Sequence, residues 1–108
     1  MTGDVARLRQ SYGVGFLRYL SRRDELTLHT AYELGRNGLT SGVSLLDLVQ
    51  IHHAVLVDVL HDPGAGELLD IADAAAAFLA EVLAPFEMTR RAVLDRAGEQ
   101  ANPRRRLS

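Results

Sequence analysis

Apolar residues recur at the spacing of an α-helix along four stretches of this chain, and three short breaks separate the stretches. The stretches cover about residues 4–20, 22–40, 45–60 and 67–97. No segment alternates apolar and polar residues in the way that a half-buried strand does. Because short connections place consecutive helices side by side, the pattern predicts an all-α fold, namely a four-helix antiparallel bundle with a long C-terminal helix.

Two serines predict where the second and third helices begin. Ser21 is followed three residues later by Asp24, and Ser44 is followed in the same way by Asp47. In a capping box of this kind, the serine hydroxyl and the acidic side chain each accept a hydrogen bond from the other residue's backbone N–H. We therefore expect a helix to start directly after each serine, and the break at 61–66, which contains proline and glycine, to precede the fourth helix.

The apolar row of the fourth stretch is wider than one contact requires. One side of it can pack inside the monomer and the other against a second subunit, so we expect a homodimer with Leu79, Leu83 and Phe86 at the subunit contact.

The rows of the other stretches are narrower. The residues expected to face inward are Val5, Leu8, Tyr12, Phe16 and Tyr19 in the first stretch, Leu28, Ala31, Gly35 and Leu39 in the second, Leu45, Leu48, Val49, Val55, Leu56 and Val59 in the third, and Leu68, Leu69, Ile71, Ala72, Ala75, Phe78, Leu79, Val82, Leu83 and Phe86 in the fourth.

Pro85 interrupts the fourth stretch, yet apolar residues keep their helical spacing on both sides of it. A proline inside a helix removes one backbone hydrogen bond and crowds the carbonyl four residues back, here that of Glu81, at a cost of roughly 3 kcal/mol. The alternative is a second helix that starts at Pro85, with Ala84 as a poor N-cap. We favour one continuous helix with a bend at Pro85 that sets the direction of residues 86–96.

Charge and composition exclude several classes of protein. The net charge is −2, the twelve basic residues are all arginine, and the absence of cysteine excludes a disulfide framework and a thiolate zinc site. No apolar run approaches the length of a membrane span and the start is too polar for a secretory signal, so we expect a cytoplasmic protein with no membrane partner. The one dense basic cluster, at 104–106, lies where apolar periodicity has ended. We therefore expect a helical domain over residues 1–97 and a flexible arginine-rich tail over residues 98–108.

The histidines are the first candidates for chemistry, but their spacing does not predict a site. His52 and His53 are adjacent on a helix, so their rings point about 100° apart. His52 falls within the apolar row, where we expect a structural histidine that is hydrogen-bonded to a neighbour. His29 and Glu33 lie one turn apart on an outer face, but two ligands do not make a metal site, and we expect a solvated pair. With no catalytic constellation in the sequence, we predict no enzyme activity, no cofactor and no metal.

Two outward-facing patches have no role in the expected core. One lies at the start of the second helix, where Leu26 is apolar although it stands nearly opposite its helix's inner row. The other is a weakly apolar strip, largely alanine, on the outer side of the fourth helix. Alanine is also a good helix former on a plain surface, and an apolar strip opposite the core is also what a docking surface looks like, so the strip alone leaves both interpretations open. The residues expected to bind a partner are Glu25, Leu26, His29, Ala80, Ala84 and Met88.

Three strings of the sequence carry a family likeness. They are "AYELGRNGL" at residues 31–39, "SLLDLVQIHHAVL" at residues 44–56 and "FLAEVLAPFEM" at residues 78–88. Together they resemble the N-terminal domain of RsbU-type phosphatases, which are bacterial serine phosphatases of the general stress response. The similarity runs in the same order over roughly residues 10–95. The fold this implies also looks like that of the C-terminal domain of the clock protein KaiA.

The resemblance implies a non-catalytic helical domain that dimerises and binds a regulator. In the family the regulator is RsbT, a switch protein related to serine kinases, whose binding activates a downstream phosphatase domain of PP2C type and so releases a sigma factor. The two outward-facing patches match by position the regulator-binding face that the resemblance implies. Nothing in the 108 residues is similar to the phosphatase domain, so we expect either a piece of a longer protein or a stand-alone relative.

Two functions from different classes are compatible with these patterns. The favoured one is a dimeric protein-interaction module in stress and sigma-factor signalling, with an RsbT-like switch protein as its partner. The alternative is a small helical DNA-binding or transcription-associated protein that uses the arginine tail. No helix carries a basic recognition face, and we therefore do not expect nucleic acid to be the partner.

Overall fold

Four helices occupy most of the described chain. The computed structural model of the protein describes residues 2–101, with side chains from residue 3 to residue 99. α1 is Thr2–Arg22, α2 is Glu25–Thr40, α3 is Leu45–Leu60 and α4 is Leu68–Ala101, and no strand occurs within this range. The all-α class and the long last helix are therefore confirmed.

The last helix runs further than the apolar pattern does. α4 continues beyond residue 97, where the periodicity ends, to Ala101. The cluster of arginines at 104–106 lies outside the described residues. A flexible tail, and the boundary between residues 97 and 98, therefore stay predictions.

Local hydrogen bonds determine where α2 and α3 begin. Ser44 caps α3: its hydroxyl accepts a hydrogen bond from the N–H of Asp47 at 3.0 Å, and the Asp47 carboxylate accepts one from the N–H of Ser44 at 3.3 Å. The capping box predicted at Ser44 is confirmed. The box predicted at Ser21 is wrong, because α1 continues through Ser21 and ends at Arg22.

Asp24 caps α2 in place of Ser21. Its carboxylate oxygen accepts hydrogen bonds from the Thr27 hydroxyl at 2.6 Å and from the Thr27 backbone N–H at 2.9 Å. These two hydrogen bonds, that of the hydroxyl first, lower the pKa of Asp24. The carboxylate therefore stays charged at the N-terminus of α2, where the helix dipole favours a negative charge.

The contact between α2 and α4 is the most extensive one in the fold. Next to the start of α2, Arg23 donates from its guanidinium to the carbonyl of Asp70 at 3.5 Å, and further along Gly35 meets Val82. From the first pair to the second, the position moves toward the C-terminus by the same number of residues in both helices. α2 and α4 therefore run parallel. A Cβ at Gly35 would collide with the carbonyl oxygen of Val82, so this close approach depends on glycine.

α1 runs antiparallel to α2 and also supports α3. Leu8 of α1 lies against Gly38 near the end of α2, whereas Gly15 lies against Leu34 closer to the middle of α2. α3 packs mainly on α1, touches α4 less and does not pack against α2. α3 meets α1 in the reverse sense, since Asp58 pairs with Arg9 and Val55 lies against Gly13. The four helices pack as a bundle, but the direction of α3 is not that of a simple up-and-down order.

Phe78 of α4 lies at the centre of the core and is fully buried. The rings of Tyr12, Phe16 and Tyr19 on α1 surround it, with centroid distances of 5.1, 5.6 and 6.0 Å. The first two pairs meet edge to face, an arrangement that aromatic rings favour. The buried apolar residues are Leu8, Tyr12, Phe16, Tyr19, Ala31, Leu34, Val43, Leu48, Ile51, Val55, Val59, Ile71, Ala74, Ala75, Phe78 and Val82.

Part of the expected inward rows faces solvent instead. On α3, the covered row is narrow because the helix rests mainly on α1. On α4, the first buried residue is Ile71, and the turn before it is not covered by another helix. The expected inward residues that are exposed are Leu45, Val49, Leu68, Leu69 and Ala72, and the buried residues that the pattern missed include Leu34, Ile51 and Ala74.

α4 passes through Pro85 as one helix of 34 residues, which confirms the continuous helix. The bend at Pro85 stays a prediction. Pro85 itself is buried, so its ring takes part in packing. Every residue from Glu87 to Glu99 is exposed, so this part of α4 extends past the bundle and contributes to the protein's 61 Å long axis.

Gly35→Ala should destabilise the protein, because the new methyl group forces α2 and α4 apart. We expect the free energy of unfolding to fall by about 1–3 kcal/mol or more, measured by urea unfolding followed by circular dichroism. Gly13→Ala is the matched control, since a Cβ there meets only Val55 at an ordinary 3.9 Å. It should stabilise α1 by up to about 1 kcal/mol. Equal stability of the two variants would contradict the close helix approach.

Candidate protein-interaction surfaces

The described residues do not assemble a metal centre or a membrane span. Within residues 2–101, no group of three or more histidine, cysteine, aspartate or glutamate side chains is placed to hold a metal ion. None of the described helices is both long enough and apolar enough to cross a membrane. Two surfaces of the helices are the candidate functional regions.

His52 joins α3 to α1. Its Nδ1 lies 2.9 Å from the hydroxyl of Tyr12, and the two rings meet edge to face at 6.0 Å. Burial, and next the neighbouring His53, lower the pKa of His52, while burial raises that of Tyr12. Both groups are therefore neutral near pH 7. The interpretation of His52 as a structural, hydrogen-bonded histidine is confirmed, although the side chain is half-buried rather than central in the core.

Contacts through Tyr32 connect the two predicted patches. The ring of His29 on α2 stacks on Tyr32 at 5.9 Å with an angle of 16° between the planes. The hydroxyl of Tyr32 in turn donates to the sulfur of Met88 on α4 at 3.9 Å. We name the connected patches together the α2–α4 face. It comprises Glu25, Leu26, His29, Tyr32, Ala80, Ala84 and Met88, of which Tyr32 and Ala84 are half-buried and the others exposed.

Tyr32 is the member of the α2–α4 face that the sequence analysis missed. Its position three residues after His29 places both on one side of α2, and that spacing was a usable signal. Glu33 lies next to Tyr32, and its carboxylate is 3.3 Å from the Nε2 of His29. Both of these side chains are largely exposed to solvent. This agrees with the predicted solvated pair, which contributes little to stability.

Pro85 forms part of a shallow cavity at the C-terminal end of the α2–α4 face. The cavity has a volume of about 270 Å³ and is bounded by Tyr32, Arg36, Pro85 and Met88, among others. Pro85 is buried, so its ring contributes little to the open wall of the cavity. Thr40 and Thr89 also line the cavity beside Arg36, so much of its wall is polar.

A second row on α4 borders the core, and Leu83 and Phe86 of this row pack against it. Its residues alternate in steps of three and four, the spacing of the contact positions in a coiled coil. The central members Leu79, Leu83 and Phe86 are half-buried, and the outer members Leu69 and Val93 are 77% and 57% exposed. The sequence analysis ended the row at Phe86, but it continues along the extended part of α4. This outer α4 row comprises Leu69, Ala72, Ala76, Leu79, Leu83, Phe86, Arg90, Val93 and Ala97.

A protein-family model matches most of the chain. The family model described as "Phosphoserine phosphatase RsbU, N-terminal domain" matches residues 10–89. The matched range includes the whole α2–α4 face and the central part of the outer α4 row. No curated protein and no solved structure matches the chain.

Stability should fall in acid because His52 resists protonation in the folded protein. Its lowered pKa means that the unfolded chain binds the proton first, so stability is fully present above about pH 6.5 and is lost as pH falls through the folded-state pKa. We expect His52→Gln to fold and to lose part of this pH dependence, measured by chemical unfolding between about pH 5 and pH 8.

His61→Gln is the control for that experiment, since His61 is exposed at the end of α3. It should leave the pH dependence of the wild type unchanged. If His61→Gln and His52→Gln have the same effect, the acid sensitivity does not come from the hydrogen bond between Tyr12 and His52.

Proposed function

Because the chain belongs to the family of RsbU N-terminal domains, we propose that it is a dimeric module that binds an RsbT-like switch protein in the bacterial general stress response. The family is a non-catalytic regulatory domain, and its role is signalling in the control of sigma factors. The proposal adds the dimer, the partner and the surfaces that each of them uses. It also puts the complex in the cytoplasm, where sigma factors act.

The outer α4 row supports the proposed dimer. Leu79, Leu83 and Phe86 are only half-buried within one chain, and the row continues where α4 has no neighbour in the bundle. A second α4 laid along the row removes these side chains from water, and full burial of a leucine contributes about 1.5–3 kcal/mol. The one charged member of the row, Arg90, donates a hydrogen bond to the carboxylate of Glu87 at 2.9 Å. This pairing lowers the free-energy cost of placing the arginine near the subunit contact.

The observation that carries the proposed partner site is the link through Tyr32. It joins a patch on α2 and a patch on α4 into one surface, so that a single partner can contact both helices. The surface combines exposed apolar groups, among them Leu26 and Met88, with the acidic Glu25 at its edge. Small side chains at Ala80 and Ala84 let a partner helix approach the α4 backbone closely.

The dimer contact and the partner site use different sides of α4. Leu83 and Ala84 are adjacent, and adjacent helical residues point about 100° apart. A partner on the α2–α4 face therefore leaves the outer α4 row free for a second subunit. Each site can be tested without disturbing the other.

Leu79→Asp should convert the dimer to a monomer that keeps its helical content. An unpaired charge in the subunit contact leaves a buried carboxylate without a partner, whereas in the monomer the same side chain reaches water. Sedimentation velocity at micromolar concentration, paired with circular dichroism, gives the two readouts. Arg91→Asp, an exposed change outside the row, is the control and should stay dimeric. A wild-type protein that is monomeric at every accessible concentration would overturn the proposed dimer.

Ala84→Arg should weaken binding of an RsbT-like protein by several kcal/mol while the domain stays folded, because a bulky charge fills the space for the partner helix. Ala80→Arg, at an exposed position of the same face, should act in the same direction. The measurement is a calorimetric titration with circular dichroism of each variant. Ala92→Arg, on the extended part of α4, is the matched control and should bind like the wild type. Undiminished affinity of both folded variants at positions 80 and 84 would rule out the α2–α4 face.

A further inference from the structure

Both ends of α4 present adjacent large apolar side chains to solvent. At the start of the helix Leu68 is 67% and Leu69 is 77% exposed, and at the extended end Val93 and Leu94 are 57% and 52% exposed. None of these four side chains belongs to the core or packs against it. Neighbouring exposed apolar groups on a small domain are typical of interaction sites.

The exposed start of α4 is acidic, whereas arginine occurs only toward the other end of the helix. Glu67, Asp70 and Asp73 lie in the first turns of α4 or just before them, and all three are exposed. None of the three forms an ion pair with another described residue. The first basic residue of α4 is Arg90. The two ends of the helix are therefore similar in apolar exposure but different in charge.

The spacing of the outer α4 row is the same in both directions along the helix. From Leu69 to Val93 the steps are three, four, three, four, three, four and three residues. Two copies of the helix that are laid antiparallel and centred on residue 81 therefore bring each of these residues opposite another member of the row. The opposed pairs are Leu69 with Val93, Ala72 with Arg90, Ala76 with Phe86, and Leu79 with Leu83.

The antiparallel arrangement matches the sizes of the side chains in the row. It brings Phe86 opposite the partner's Ala76 and Arg90 opposite the partner's Ala72, so that each of the two bulkiest members meets a small one. In a parallel arrangement each residue meets its own copy. Two phenylalanines then meet at one level and two alanines at another, which crowds the first level and leaves the second underfilled. Close packing therefore favours the antiparallel pair.

The place of Arg90 in the row favours the same arrangement. In a parallel pair the two copies of Arg90 meet, and their guanidinium groups repel each other across the contact. In an antiparallel pair, Arg90 lies beside Asp73 of the partner subunit, which has no ion pair within its own chain. Because Arg90 also donates to Glu87, its guanidinium then lies between two carboxylates. A single polar residue at a contact position can specify how two helices pair.

We propose that the two subunits pair their α4 helices antiparallel, so that the extended end of each helix covers the exposed, acidic start of the other. The inference rests on the proposed dimer and adds the direction of the helices and the residues that meet. The contact between Leu69 and Val93 extends along about 36 Å of helix. It gives the part of α4 beyond Arg90, which is exposed throughout in the single chain, a role in holding the subunits together.

The chain contains no cysteine, so single cysteines introduced on α4 report which positions meet. Leu69→Cys and Val93→Cys proteins are refolded together from urea and treated with a short thiol cross-linker, and mass spectrometry identifies the linked peptides. We expect a link between positions 69 and 93 as the main product, since either variant alone holds its two cysteines about 36 Å apart. Arg91→Cys in place of Val93→Cys is the control, because it lies at the same end of α4 outside the row and should link poorly to position 69.

Charge reversal tests the contact between Asp73 and Arg90. Asp73→Arg and Arg90→Asp should each raise the Kd of the dimer by about tenfold or more, because the contact occurs twice and each change turns attraction into repulsion. The double variant exchanges the two charges and should recover most of this loss. Asp95→Arg is the control and should leave the Kd unchanged, since it lies five residues after Arg90 and so on another side of the helix. Sedimentation equilibrium measures the Kd, and circular dichroism checks the fold of each variant.

The outcomes separate this arrangement from the proposed dimer itself. Leu69→Cys and Val93→Cys proteins that each link to their own copy would show a parallel pair, which overturns the antiparallel arrangement while the dimer stands. A dimer that links at neither position and does not respond to charge reversal would assign the contact to another surface, with the same consequence. A wild-type protein that stays monomeric at every concentration would overturn both. A link between positions 69 and 93, with recovery in the double variant, supports the proposal.

Discussion

The close approach of α2 and α4 at Gly35 is the contact on which the rest of the structure depends. The absence of a side chain at Gly35 lets the α2 backbone reach the carbonyl of Val82. Because this is the most extensive helix pair, its geometry fixes the rotation of α4 about its own axis. That rotation decides which side chains of α4 enter the core, and Phe78 among the α1 aromatic rings is the main one.

Three consecutive residues show how α4 divides its roles. Val82 is fully buried, Leu83 belongs to the outer α4 row, and Ala84 belongs to the α2–α4 face. Since each step along a helix turns by about 100°, three neighbours cover three directions. Pro85 follows at once and is buried, so its ring packs in the bundle at a position where the helix lacks one backbone hydrogen bond.

Much of this architecture could be predicted from local sequence patterns, and the rest depends on contacts between helices. Periodicity identified four helices, and the Ser44 box identified the start of α3, because each uses neighbours a few residues apart. The inward row of α3 was only partly predicted because the helix is apolar on two sides, and only the position of α1 decides which side is covered. The spacing of Tyr32 from His29 can be read from the sequence, but its contact with Met88 depends on the register between α2 and α4.

An open groove of about 400 Å³ between α1 and α3 shows the same limit. It exists because Gly13 faces Val55 from another helix, and no pattern within either helix reveals that pairing. The exposure of the predicted partner residues, apart from the half-buried Ala84, could be predicted from the sequence, since exposure opposite an apolar row is a local property. Their binding of a partner stays a prediction. The contact between the α2 patch and the α4 patch depends on how these two helices pack.

Hydrogen–deuterium exchange of the chain, with and without an RsbT-like protein, tests the central claim most directly. Exchange reports on backbone amides along the whole chain, so it needs no substitution and shows which helices the partner covers. The account predicts slower exchange at the start of α2, over residues 25–33, and in the middle of α4, over residues 77–89, with α1 and α3 unchanged. Protection confined to α1 and α3, or no protection in a complex that forms, would contradict it.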